Sequence, residues 1–362
     1  MSGKSIPANI LNFILKKLFA VTENLDKNLG DASKILIIRQ HNQLGDMLAG
    51  VSLFRAIKQK YPQCHLTLLS SKDNYYGVVK NKLIDELIVF DKSKMFNPVE
   101  FIRFFKKLRE GYDLVVVPVT VSISFTSNLI AGISRSKTRI GPKSLDGKPN
   151  DSAYFFDRRV DIDWHKYPDS NVSEHILEIV KPFGIDTTDL SSEISFDESD
   201  NIVARKFISK IQKDPKSIVI GLHVGAGKPA NRWSLKKYVD LIHKLNNDYN
   251  CEFYLTGSDS DSEELDFVIS NTKVKLSKYL NKQIPQVAAL ISNSDLFITN
   301  DTGIMHVAGA TTTSQVSLFG PTNPFNWAPC GKNKIFLRKS DLIDDIEVHE
   351  VFDVCKILLE NK

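Results

Sequence analysis

Short apolar runs rich in β-branched residues alternate with helical segments along almost the whole chain, and this alternation leaves few folds open. The run Ile35-Leu36-Ile37-Ile38 has no polar face, so as a strand it must be covered on both sides. A polar loop follows at 39–44. Residues 46–61 then place Leu48, Val51, Phe54 and Ile57 at helical spacing until Pro62 stops them. Residues 65–69, 86–90 and 114–119 repeat the buried-strand pattern, with helical stretches near 75–81, 98–110 and 124–131 between them. A second series places strands at 217–222, 252–256, 295–299 and 315–318, separated by helices at 235–247, 260–270, 284–292 and 304–309. Each series predicts a doubly wound parallel sheet, and 362 residues suffice for two such Rossmann-like domains.

Outside the two series, 142–170 is rich in Lys, Asp, Pro and Ser and predicts a long excursion, and 173–183 predicts a helix stopped by Gly184. The expected organisation is an amphipathic helix within 1–33, an N-terminal Rossmann-like domain over 34–185 and a C-terminal one over 186–340. A final helix within 341–362 is expected to pack back toward the N-terminal domain. At the N-terminus Ile10, Leu11, Ile14, Leu15, Leu18 and Phe19 make one broad apolar face, with Asn9, Asn12 and Lys16 opposite and no acid before Glu23. Two readings of it stay open: packing on the globular body, or lying in a membrane interface beside anionic lipids.

Composition removes several classes. Forty-seven Lys+Arg against 43 Asp+Glu leave a formal +4, too little for a protein that coats nucleic acid. Cys64, Cys251, Cys330 and Cys355 form no C-x-x-C pair, which points to reduced thiols of a cytoplasmic protein rather than a disulfide frame or zinc site. No apolar stretch reaches the length of about 18 residues needed to span a membrane, and the N-terminal stretch lacks the cleavage site of a secretory signal.

Ligands of open parallel sheets bind beyond the carboxyl ends of the strands. Three loops there carry chemistry. In Arg39-Gln40-His41-Asn42-Gln43-Leu44-Gly45-Asp46, Gly45 permits a tight turn and Asp46 enters the first helical turn, where an acid also serves the helix start. In His223-Val224-Gly225-Ala226-Gly227, followed by Asn231-Arg232-Trp233-Ser234, small residues let a phosphate approach backbone N–H groups, with Lys228 and Arg232 as nearby cations. The loop is neither a P-loop nor a dinucleotide fingerprint. In Thr299-Asn300-Asp301-Thr302-Gly303-Ile304-Met305-His306, helix-start N–H groups and the Thr302 hydroxyl form an anion pocket. Asp301 can cap that helix, but capping gives no reason for His306.

Thinner cues surround these loops. The loop Thr256-Gly257-Ser258-Asp259-Ser260-Asp261 either presents a carboxylate, Asp259, to ribose hydroxyls or is a polar loop with a helix cap. Phe319-Gly320-Pro321-Thr322 reads as a rigid turn walling the crevice. Arg103, Lys106, Lys107 and Arg109 share a helix with Glu100 and Glu110, either as a solvated face or as a contact for an anionic acceptor. No His-Cys cluster or D-x-D motif suggests a metal site.

Gly45-Asp46, the 223–227 loop with Arg232-Trp233, the block Asn300-Asp301-Thr302-Gly303-Ile304-Met305-His306 and Phe319-Gly320-Pro321-Thr322 together resemble glycosyltransferase family nine, the heptosyltransferases, in order and spacing across about 34–335. The resemblance implies a GT-B architecture of two Rossmann-like domains facing across a cleft. It also implies a metal-independent, inverting transfer from an ADP-sugar to lipopolysaccharide core or a related lipid-linked glycan, without a cofactor. Asp46 then looks like the general base. Gly225, Ala226, Asn231, Arg232, Asp259, Asp301, Thr302, Gly303 and His306 look like the donor side, and Arg39 and Asn42 the acceptor side. Many members carry Lys where this chain has Asn231, and Thr and Pro where it has Gly50 and Ser52. The expected protein is a cytoplasmic monomer with peripheral inner-membrane contact. Two alternatives are a UDP-sugar 2-epimerase-like isomerase and a nucleotide-sugar-binding protein without activity.

Overall fold

The computed structural model describes residues 8–40 and 43–360. The chain forms two compact units. Among the described residues the first holds 8–40, Ser52–Tyr75 and Lys82–Asp189; the second holds Gln43–Val51, Tyr76–Asn81 and the chain from Leu190 onward.

In the first unit the strands are β1 (Lys34–Arg39), β2 (His65–Ser71), β3 (Glu86–Phe90), β4 (Tyr112–Val116), β5 (Ser136–Leu145), β6 (Lys148–Pro149) and β7 (Arg158–Ile162). They form one sheet in the order β3-β2-β1-β4-β5, all parallel, with β7 parallel and β6 antiparallel to β5. Ile35 to Ile38 are wholly buried, as a strand covered on both faces requires. The excursion expected over 142–170 instead contains the end of β5 and all of β6 and β7. Polar side chains break the apolar run of β5, and its register shifts between Pro142 and Ser144, so neither a continuous run nor strict alternation marks it.

The helix α1 (Ala8–Phe19) packs on the first unit by one flank: Phe19 meets Phe155 at 6.2 Å between ring centroids, and the Tyr154 hydroxyl donates to Asn12 at 2.7 Å. Its Phe13, Ile14 and Leu18 are exposed. The helix expected over 46–61 is broken at Gly50 into α2 (Leu44–Ala49) and α3 (Val51–Lys60), and α2 belongs to the second unit. After α4 (Pro98–Leu108) and α5 (Phe125–Ile133), the helix expected over 173–183 is a single turn, α6 (Val172–His175). Beyond it the chain continues in turns, with N–H groups of Leu177 and Glu178 donating to the carbonyls three residues back, and a 3-10 turn at Lys181–Phe183 leads into Gly184 in the left-handed conformation.

The second unit opens with α7 (Glu198–Ile211), started by a capping box between Asp197 and Asp200. Its strands are β8 (Ile218–His223), β9 (Cys251–Gly257), β10 (Leu276–Leu280), β11 (Leu296–Asn300), β12 (Ser314–Leu318) and β13 (Lys334–Leu337). They are parallel throughout, in the order β10-β9-β8-β11-β12-β13. This is the Rossmann order, reversing direction between its first and fourth strands, here β8 and β11. The helices are α8 (Leu235–Asp248), α9 (Ser262–Asn271), α10 (Ile284–Ser292), α11 (Gly303–Gly309), α12 (Pro324–Trp327) and α13 (Val348–Glu360). None of the helices among the described residues is long and apolar enough to cross a membrane.

Val351, Phe352, Cys355 and Leu358 of α13 are buried in the second unit's own core with residues of β8, β9, β11, β12 and α8. The segment before it is already tied down: the Trp233 indole and the Lys237 ammonium both donate to the Ile346 carbonyl, at 2.9 and 3.0 Å. Lys244 of α8 lies 4.4 Å over the Phe352 ring. Phe352→Ala should therefore lower the stability of the full chain by about 3 kcal/mol in denaturant unfolding, the cost of a buried aromatic cavity. A loss below about 0.5 kcal/mol, the usual surface effect, would show that this helix does not complete the core.

Candidate functional site

The loops after β8 and β11 are joined through one side chain. Asn300 ends β11 with no exposed surface. Its amide donates to the Val224 carbonyl at 3.0 Å and the Gly225 carbonyl at 3.2 Å, and its oxygen accepts from the Trp233 N–H at 3.2 Å and the Tyr238 hydroxyl at 3.0 Å. An asparagine amide has two donors and two acceptor positions, and all are used. Burial pushes the Tyr238 hydroxyl up, so it remains a donor. Trp233, also wholly buried, packs edge-on against Tyr238 at 5.0 Å. A Cβ on Gly320 would lie 2.9 Å from the Ala230 carbonyl oxygen, so the Phe319-Gly320 turn can close on the 229–231 turn only with glycine there.

Around this frame the polar residues find partners. Asn231, buried, donates to the Asp301 carboxylate at 2.8 Å. Arg232 forms an ion pair with the buried Glu264 and donates to the Ala226 carbonyl at 3.0 Å, so much of its charge is already met. Asp259 is exposed and held to Asn281 at 2.7 Å. The carboxylate that reaches the 223–227 loop is Asp261: a Cβ on Gly225 would lie 2.3 Å from its Oδ1. Ser258 donates to Asp261 from both its backbone N–H and its hydroxyl. His223 is buried with Nδ1 3.1 Å from the Thr256 carbonyl; burial pushes its pKa down, partly opposed by Asp261.

The third loop starts α11. Thr302 is its N-cap residue in extended conformation but makes no side-chain cap, and its hydroxyl is buried without a hydrogen-bond partner among the described residues. Asp301 does not cap this helix; its carboxylate holds Asn231 instead. His306 is buried one turn in, and α2 packs directly on it. A Cβ on Gly45 would stand 2.5 Å from Cδ2 and 2.7 Å from Nε2 of the imidazole, so the glycine before Asp46 is what lets the two helices meet. Asp46 follows in the first turn of α2, only 3% exposed. Burial pushes the His306 pKa down while the carboxylates of Asp301 and Asp46 oppose the shift, so the ring is neutral at pH 7.

Thus Asp46, Asn231, Asp301, Thr302, Gly303 and His306 come together in the second unit, with Gly225 and Ala226 on the adjoining loop. Asp259 lies at the periphery, Arg39 ends β1 in the first unit, and Asn42 lies outside the described residues. Sequence reading quoted Asn300 within its motif without giving it a role, chose Asp259 over Asp261 and missed Glu264. Of these, Asp261 had a signal, the capping pattern Ser258-x-x-Asp261. Away from this site, Asp146, Asp163 and His165 converge within 4.8 Å in the first unit, where Asp146 and Asp163 accept from the backbone N–H groups of Trp164 and His165.

Two Rossmann-like parallel sheets in one chain are the GT-B fold, which the solved structures described below share. Residues 101–351 match glycosyltransferase family 9 (heptosyltransferase), and the chain belongs to that family. It is 26% identical over 323 residues to lipooligosaccharide heptosyltransferase 2 of Haemophilus ducreyi, covering 85% of this chain and 89% of that one. Two solved structures share the fold. A family 9 glycosyl transferase from Veillonella parvula aligns with a TM-score of 0.78 at 19% identity, covering 92% and 98% of the two chains. The E. coli ADP-heptose lps heptosyltransferase II aligns with a TM-score of 0.73 at 20% identity, covering 91% and 99%.

Asn300→Asp keeps the shape but turns two donors into a carboxylate facing two carbonyls. It should destabilise the chain by about 3 kcal/mol or more in urea unfolding; wild-type stability would contradict the four bonds. His306 adds a pH test. Unfolded, it takes a proton near pH 6.5; folded, only lower, so its contribution to stability is complete above about pH 6.5 and is lost as the pH falls toward its folded value. The unfolding midpoint of His306→Gln should fall less steeply than wild type from about pH 7 to about pH 5, and parallel curves would contradict a buried neutral ring.

Proposed function

We propose that this chain is an inverting, metal-independent heptosyltransferase that moves heptose from ADP-heptose to the lipopolysaccharide core or a related lipid-linked glycan, with Asp46 as general base. The observation that carries this reading is the packing of Gly45 on His306. It sets a buried carboxylate beside the helix start whose Thr302 hydroxyl has no partner among the described residues. The names of the relatives described above supply the donor and acceptor class.

In this reading Asp46 accepts the proton of an acceptor hydroxyl as that oxygen attacks the anomeric carbon. The bond from that carbon to the phosphate oxygen breaks on the opposite face, and the configuration inverts. The leaving diphosphate gains charge as the bond breaks. The backbone N–H groups of Thr302 and Gly303 at the start of α11 and the Thr302 hydroxyl are suited to receive it, with neutral His306 beside them. Arg232 is committed to Glu264, and Asn231 to Asp301, so this part of the donor pocket relies on neutral donors more than on fixed cations. We place the enzyme in the cytoplasm as a monomer, working at the inner membrane where a lipid-linked acceptor is presented.

Asp46→Asn should lower kcat by about 1,000-fold, within the usual range for losing a general base, while calorimetry shows ADP affinity changed by less than about threefold. ADP affinity lost in parallel with turnover would overturn the base assignment. In the same assay His306→Ala should weaken ADP binding at least about tenfold, the scale of one lost polar contact to a charged group.

A further inference from the structure

The helix α4 has two apolar faces where a helix on a soluble sheet needs one. The inner face is spoken for: Phe104 packs on Phe90 with ring centroids 5.2 Å apart, and Leu108 is wholly buried. The other face points away from the core. Val99 is 63% exposed and Ile102 52%, Phe96 just before the helix is 91% exposed, and Phe101 and Phe105 stack along one flank at 6.3 Å. Contiguous exposed aromatic and aliphatic side chains mark a contact surface rather than a solvated face.

The charge around this patch selects the partner. From Lys92 to Glu110 there are six cationic and two acidic side chains. Both acids are already paired, Glu100 with Arg103 at 2.7 Å and Glu110 with Lys107 at 2.9 Å, while Arg109 reaches over the Phe105 ring at 5.9 Å. Bulky apolar groups set among Lys and Arg are the composition of an interfacial helix on anionic lipid. The pattern recurs in the same unit. Phe155 is touched by Phe125 of α5 and by Phe19 of α1, and α1 turns Phe13, Ile14 and Leu18 outward with the Lys17 ammonium 4.8 Å over the Phe13 ring. The 3-10 turn Lys92–Phe96 that carries Phe96 outward also walls a cavity of about 280 Å³ at the carboxyl ends of β1, β2 and β3, whose charged lining is mixed, Lys72 and Lys92 beside Asp73 and Asp91, so the cavity itself adds nothing to the cationic patch.

We propose that α4 and the turn before it dock the first unit on the surface of an anionic bilayer, with Phe96, Val99 and Ile102 inserted and Arg103, Lys106 and Arg109 at the headgroup phosphates. This stands apart from the donor, acceptor and base assigned above.

The test is co-sedimentation of the full chain with vesicles of phosphatidylcholine containing about one third phosphatidylglycerol, and with pure phosphatidylcholine, neither carrying a sugar. The wild type should bind the anionic vesicles and be released by salt. The triple variant Phe96→Ser, Val99→Ser, Ile102→Ser should lose at least about tenfold in affinity at unchanged thermal stability, because these side chains are largely exposed. Lys106→Glu with Arg109→Glu should abolish the preference for phosphatidylglycerol. Wild-type binding by the triple variant would overturn the proposal, as would complete loss of binding in Phe13→Ser with Leu18→Ser while α4 is intact. A concentration-dependent dimer that the triple variant converts to monomer would assign the face to a second copy of the chain instead.

Discussion

The second unit is organised around the four hydrogen bonds of Asn300. A buried amide that left any of these positions empty would cost more than it gained, so its partners must all be in place together. Those partners belong to three different segments: the carbonyls of the loop after β8, the N–H of Trp233, and the hydroxyl of Tyr238 in α8. Trp233 then reaches Ile346, which sets where α13 begins. One side chain at a strand end thereby couples the small-residue loop, the following Asn-Arg-Trp segment and the C-terminal helix. The loop that carries Asp301 and Thr302 leaves the same strand end.

Close approach explains most of the glycines in the motifs better than ligand access does. Gly45 makes room for the His306 ring, Gly225 for the Asp261 carboxylate and Gly320 for the Ala230 carbonyl. These are contacts between parts of the protein, and each brings together motifs far apart in the chain. Gly227 and Gly303 have open space or only ordinary contact where a Cβ would stand, so they remain positions where a ligand can come near the backbone. The polar side chains of the next segment are likewise met within the protein: Arg232 is matched by Glu264, and Asn231 is matched to Asp301.

The alternation of apolar runs and helices was enough to indicate two doubly wound sheets, because a strand covered on both faces has to be apolar throughout. Edge and irregular strands stayed hidden. β5 and β7 carry charged residues along both strands, Arg158 even at a buried position, and β10 and β13 are short and only partly buried, so no period distinguishes them from loops. At the site, Asp46, Thr302 and His306 were legible from loop position and motif company. Asp261 was passed over for Asp259 because two carboxylates in a Ser-Asp-Ser-Asp run look alike until the turn aims one inward and ties the other to Asn281.

By itself, then, the sequence determined the local and periodic features: the number of sheets, the loops that hold chemistry, the near-neutral charge and the lack of a long apolar span, since these depend on residue type and spacing alone. The tertiary structure decided which residues share a neighbourhood. It placed α2 with the second unit, sent the apolar face of α13 into the core beside α8, satisfied Asn300 from three segments, neutralised Arg232 and left one apolar face of α4 exposed among the described residues. Such outcomes follow from packing and hydrogen-bond satisfaction between segments distant in the chain, which local spacing does not encode.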